Sequence, residues 1–254
     1  MPQAHEQDRD VVRVEVDDTQ SACRLTLDRP DKLNALNDDV RRSLQRAVDQ
    51  LAERDDVRVV ILVGAGRAFS AGADLRQGPV APSDGGVLGE RRATGRWQRL
   101  LDDLERLPQA TVARLQGHVV GGAALLAAAC DLRVAAEDLI VSVPELALGI
   151  PLTWAGLPRL VREIGLPRTR ELVMTGRRLP AVEAHAWGYV NRVVPLGELD
   201  AAVDDLVATL VSKPAHALAM TVDALRALGR AVSATETAWA DADLLRWSLS
   251  DISR

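Results

Sequence analysis

Aromatic side chains are scarce in this 254-residue chain, which has five Trp, one Tyr and one Phe. Leu, Val and Ala must therefore fill any core, and close backbone packing is expected. Lysine is scarcer still: Lys32 and Lys213 are the only two, so nearly all the positive charge is arginine. A formal net charge of -5 gives no electrostatic reason to expect a nucleic-acid partner. Cysteine is limited to Cys23 and Cys130, both in apolar surroundings, which cannot make a disulfide framework and reads more easily as a reduced, cytoplasmic protein. No apolar run reaches the roughly 20 residues that a membrane span needs. The opening "MPQAHEQDRD" has no apolar signal core, so no secretory leader is expected.

What is present is an ordinary soluble composition, 47% hydrophobic and 26% charged. It suits one large domain, or a domain with an appendage, around a sizeable core. "VVRVEV" and "CRLTLD", with "DDTQSA" between them, predict a β-hairpin. Val40, Leu44, Val48 and Leu51 recur at helical spacing behind Asn37, a natural N-cap. "VRVVILVG" reads as a strand buried on both faces. After an irregular loop from Gln77 to Gly89 come a helix in "RWQRLLDDLERL" and a strand in "TVARLQG", then two short strands in "DLRVAA" and "LIVSV". From about Gly156 the pattern is helical, apart from "NRVVP". The expected boundary lies near Leu196, with a β/α core in residues 1–196 and a helical region in 197–254. A ββα unit recurs loosely in the core.

Two stretches share one plan, an apolar strand followed by a turn of small residues. They are "VVILVGAGRAFSAGADL" and "TVARLQGHVVGGAALLAAACD". Small residues let a ligand approach the main chain, and a helix start offers free N–H groups to negative charge. Two such amides converging on one oxygen make an oxyanion hole. Here the donors would be Ala73 and Gly122, with the helix that begins near Gly122 adding its positive end. The alternative is a pair of plain strand-to-helix connections.

Four segments carry a family resemblance, in order and at matching spacing: "DRPDKLNALN", "GRAFSAGADL", "GHVVGGAALLAAACDLRVAAED" and "VPELALGI". Together they resemble the crotonase, or enoyl-CoA hydratase/isomerase, superfamily over roughly the first two hundred residues. The resemblance implies an α/β fold, a spiral of repeated ββα units with a helical C-terminal region that builds trimers or dimers of trimers. It implies action on coenzyme A thioesters, with no metal and no cofactor apart from the coenzyme A of the substrate. It places the oxyanion hole on the Ala73 and Gly122 amides, with Gly121 beside them. It also assigns substrate contacts to Lys32 and Leu33, and to Ala71, Gly72, Asp74 and Leu75.

Family hydratases hold water with two glutamates. The first falls here on Leu125, one helical turn after Gly122 and on the same face. Leucine cannot orient water and makes the pocket drier. The second falls on Glu145, which is retained. One acid beside an oxyanion hole can move a proton along an allyl system, and apolar walls should raise its pKa toward the operating pH. This pattern resembles the single-glutamate 3,2-enoyl-CoA isomerases more than the hydratases. An enoyl-CoA hydratase and a non-catalytic acyl-CoA binder are the alternatives. Taken alone, Glu145 would read as a solvated acid at a strand end.

Thr153 and Trp154 stand where small residues are usual, and Trp154 is either a wall of the acyl site or a core tryptophan. Asp74 is also a candidate loop hydrogen-bonding group. Asp131 reads as a turn-closing acid and His118 as a packed histidine. His5, His118, His185 and His216 are dispersed without metal-ligand spacing. A dinucleotide-binding reading of "VVILVGAGRAF" fails on Phe69, which occupies the place of the third glycine.

Overall fold

A computed structural model of the chain describes residues 11–76, 86–233, 238 and 240–252. Among these residues the strands are β1 (Val12–Asp17), β2 (Ala22–Leu27), β3 (Val59–Gly64), β4 (Ala110–Leu115) and β5 (His118–Val120). They continue with β6 (Leu132–Ala136), β7 (Ile140–Ser142), β8 (Leu179–Pro180) and β9 (Arg192–Val194). The helices are α1 (Asp38–Ala52), α2 (Gly86–Thr94), α3 (Arg96–Leu104), α4 (Gly122–Ala128) and α5 (Gly156–Thr175). After them come α6 (Ala181–Trp187), α7 (Leu199–Val211), α8 (Ala215–Val232) and α9 (Asp241–Ile252).

The expected hairpin forms: β1 and β2 pair antiparallel, with Val12 opposite Leu27. β3, β4, β6 and β9 then add in parallel, giving the order β1-β2-β3-β4-β6-β9. A second sheet is β5-β7-β8, with β5 parallel and β8 antiparallel to β7. The strand–strand–helix unit therefore recurs as β1–β2–α1, β4–β5–α4 and β6–β7–α5. Parallel neighbours need a crossover of this kind.

The central strand β3 is buried throughout, as its unbroken apolar run requires. Val60 and Leu62 point into the larger core, with α1, α3 and α4. Val59, Ile61 and Val63 point the other way, onto Leu199, Val203 and Val207 of α7. The first helix after Leu196 thus covers the second face of the main sheet. Asn37 caps α1, its side-chain oxygen accepting from Val40 N–H at 2.9 Å.

Three readings are corrected. Residues 86–89, taken as loop, form the first turn of α2, while 77–85 lie outside the described residues. His118–Val120, read as part of a turn, is a strand held by β7. The His118 side chain is exposed, because alternation along that strand buries Val119 instead. No helix among the described residues is long and apolar enough to cross a membrane.

Candidate active site

The two small-residue turns are built alike and lie side by side. Ser70 N–H donates to His118 O at 3.0 Å, and Val120 N–H donates to Ser70 O at 3.2 Å, so residues 70–72 run parallel to β5. Each segment then turns at a glycine with positive φ, Gly72 at 81° and Gly121 at 53°. Only glycine takes such angles readily. Contact closes both positions further: a Cβ on Gly72 would overlap the Val120 carbonyl, and one on Gly121 would overlap Glu145 Oε1. The amides just past the turns, Ala73 N–H and Gly122 N–H, donate to no acceptor among the described residues. At Gly122 this follows from its place as the first residue of α4.

The Ala73 turn is fixed from behind. Ser70 Oγ donates to Asn34 O and accepts from Gly72 N–H. Asn34, itself left-handed at φ 54°, donates through Nδ2 to Ala65 O and Ala68 O. Neither residue was singled out in the sequence, although asparagine is one of the few side chains at ease in that conformation.

Glu145 opens a short 3-10 turn after β7 and Pro144. Gly121 N–H donates to Ser142 O at 2.8 Å, which ties the end of β7 to the glycine turn and brings the Glu145 carboxyl onto Gly121. Its Oε2 is buried without a hydrogen-bond partner among the described residues. Burial pushes the carboxyl pKa up to about 7, against a smaller opposing effect of the residue's own backbone N–H. Glu145 is therefore not the solvated acid that its strand-end position alone would give.

Leu125 is 1% exposed, and its methyls lie against Gly156 at the start of α5. The Trp154 ring covers Gly122 so closely that a Cβ there would overlap it. Leu125 and Gly122 thus face the same segment, residues 154–156. The indole is partly buried and stacks on Trp97 with centroids 4.6 Å apart.

Beyond Ala73, a cavity of about 500 Å³ is lined by Lys32, Leu33, Arg67, Leu75 and Arg76, with Asp31 and Asp74 also at its wall. Asp74 is held by Arg29 at 3.0 Å and accepts from Arg76 N–H, so its carboxylate is engaged within the loop. Asp131 accepts from Thr111 and pairs with Arg226, a structural role. Among the described residues no cluster of three His, Cys, Asp or Glu side chains is arranged to hold a metal ion.

The family model described as enoyl-CoA hydratase/isomerase matches residues 17–249. The chain belongs to this family. A crystal structure of an enoyl-CoA hydratase from Mycobacterium avium subsp. paratuberculosis superposes with a TM-score of 0.80 at 30% identity, over 92% of this chain and 89% of that one. The chain is 38% identical over 177 residues to a probable enoyl-CoA hydratase of Mycobacterium bovis, which is 68% of this chain but only 62% of that relative's length. It is 30% identical over 205 residues to the 1,2-epoxyphenylacetyl-CoA isomerase of Escherichia coli, covering 79% of this chain and 77% of that protein.

Proposed function

We propose that this protein is an enoyl-CoA isomerase in which Glu145 is the only base. The observation that carries the reading is a buried carboxyl with an unpartnered oxygen beside the glycine turn, with leucine rather than a second acid one turn along α4. Glu145 takes the proton from the carbon alpha to the thioester of a 3-enoyl substrate. The C–H electron pair forms a double bond to the carbonyl carbon as the carbonyl π pair moves onto oxygen. This gives a dienolate, conjugated with the existing double bond, whose oxygen accepts from Ala73 and Gly122 N–H. The carboxyl then returns the same proton to the far carbon of the allyl system. Each oxyanion donor contributes about 3 kcal/mol. The balance is closed without water or a cofactor.

The nucleotide and pantetheine arm lies in the cavity beyond Ala73, where Lys32, Arg67 and Arg76 supply cations for phosphates. Leu33, Ala71, Gly72 and Leu75 line the passage, and Asp74 acts by holding the loop. Residues 197–254 serve subunit contacts in a trimer or a pair of trimers, supported by the exposed Met220, Leu225, Leu228 and Val232 of α8. The buried free thiols of Cys23 and Cys130 suit a cytoplasmic protein.

The test assays 3-enoyl and 2-enoyl thioesters side by side in the native enzyme and in Glu145→Gln and Leu125→Glu variants. Isomerisation that depends on Glu145, with hydration gained only in Leu125→Glu, is the expected result. Native hydration as fast as isomerisation would make the protein a hydratase. Absence of proton exchange at the alpha carbon of a bound thioester would make it a binder.

A further inference from the structure

The proton shuttle makes no use of the backbone that carries the tryptophan. Trp154 and Ala155 are both left-handed, at φ 62° and 52°. Such angles are costly for residues with a side chain and persist only where the surroundings enforce them. Three groups enforce them here. Arg159 Nη1 donates to Trp154 O at 2.6 Å. Ala155 N–H donates to Asp241 Oδ2 at 2.8 Å, a bond to the first residue of α9. The indole is stacked on Trp97 of α3, with ring planes 12° apart. The result is an aromatic edge on Gly122, one residue from the glycine that carries the Glu145 carboxyl.

We propose that Trp154 is the end wall of the acyl site, that Asp241 is the positioning residue that holds it there, and that the site takes short, flat acyl thioesters. The proposal rests on the acyl-thioester reading of the site. A thioester oxygen on Gly122 N–H, with its alpha proton toward Glu145, sets the first carbons of the acyl group over Gly121 and Gly122. The indole edge stands next along that path, with Leu125 and Leu152 packed against Gly156 just beyond it. A flat enoyl group lies against the ring. A longer chain must displace the ring, and with it the Trp97 stack and the strained turn.

The test measures binding of saturated acetyl-, butyryl-, hexanoyl- and octanoyl-CoA by calorimetry, so no turnover is involved. In the native protein, affinity should rise only to the short members and then fall. In Trp154→Ala it should keep rising by about fourfold per added methylene, the gain expected from burying each one. Asp241→Ala should move the profile toward that of Trp154→Ala. Asp241→Asn, which keeps an acceptor oxygen, should restore the native profile, and Asp243→Ala on the same helical turn should leave it unchanged. The near-ultraviolet circular dichroism of the stacked indoles should weaken in Asp241→Ala and recover in Asp241→Asn. Should Trp154→Ala not fold, Trp154→Phe and Asp241→Ala carry the same comparison.

Identical chain-length profiles in the native protein and the Trp154 variants would overturn the wall. A native profile and spectrum in Asp241→Ala would overturn the positioning role. The isomerase reading fails separately, if these profiles behave as stated while no 3-enoyl thioester turns over. A native protein that binds none of the four thioesters overturns both.

Discussion

Glu145 and Arg159 are charged side chains in the same stretch of chain, both withdrawn from water, and the fold treats them in opposite ways. Arg159 is 0% exposed, and each of its nitrogens meets an acceptor. Nε donates to Glu105 at 2.9 Å, Nη2 to Asp102 at 2.5 Å and Nη1 to Trp154 O at 2.6 Å. Among the described residues, Glu145 has a buried oxygen without a hydrogen-bond partner and no neighbouring cation that pulls its pKa down. An unmatched buried polar atom costs about 1–3 kcal/mol, and a scaffold has no reason to carry one. The satisfied charge holds the Trp154 carbonyl in place. The unsatisfied one is kept ready for a proton.

Substitution should separate the two most sharply at Glu145. Glu145→Gln keeps the shape and removes the base, so kcat for isomerisation should fall by about 10²- to 10⁴-fold while thioester binding and folding survive. A kcat within threefold of native, roughly 0.6 kcal/mol, would erase the functional side of the contrast. Arg159→Ala should do the reverse. It takes the cation from the partly buried Asp102 and one of two from Glu105, which Arg162 still holds, and breaking a buried pair costs up to about 3–5 kcal/mol. Urea unfolding measures that loss, and a cost under about 1 kcal/mol would place Arg159 with ordinary surface pairs.

Acidity tests the same contrast without a mutation in the scaffold. The Glu145 carboxyl titrates near its ordinary 4.5 in the unfolded chain and at about 7 in the fold. Between those values the native state holds a proton that the unfolded state has released. Stability therefore falls as pH rises through this window and levels off above about 7, by at most about 3 kcal/mol. Glu145→Gln removes the effect, so its melting temperature should match the native one near pH 4.5 and exceed it at pH 8. Activity should run the other way, rising about tenfold per pH unit below 7 and flattening above it, because only the carboxylate is a base. A native enzyme at full speed at pH 5 would show that the carboxyl is not shifted.

The chain shows these two residues with very different clarity. Glu145 was legible because a strand, a proline and an acid follow one another within a family-like segment, and the glycines at 121 and 122 were legible because backbone must be bare where something approaches it. Asn37 was legible as a cap for an equally local reason. Arg159 was not legible, since a buried arginine looks like a surface one until Glu105 and Asp102 are brought to it from α3. Trp97 behind Trp154, Asp241 on Ala155 and Arg29 on Asp74 were hidden in the same way, each joined across a long stretch of chain. The loop start at Gly86 was misjudged because glycine and small polar residues blur a helix whose apolar positions are few. Local backbone demands are written in adjacent residues, whereas charge pairing is written only in the tertiary fold.

Tyr189 gives the smallest and most exacting version of the comparison, because it is a satisfied buried group that touches α4, the helix that begins at Gly122. Its ring is 0% exposed, and its hydroxyl donates to Ala124 O on α4 at 2.7 Å, two residues past Gly122. Ala124 lies inside that helix, where the ladder already supplies its carbonyl with a partner, so Tyr189→Phe leaves no orphan. The cost should be about 0.5–1.5 kcal/mol in stability, with kcat and KM unchanged. If kcat instead fell with stability nearly intact, this hydroxyl would be setting the height of α4, and with it the Gly122 amide. Paired groups would then tune the chemistry as well as the frame.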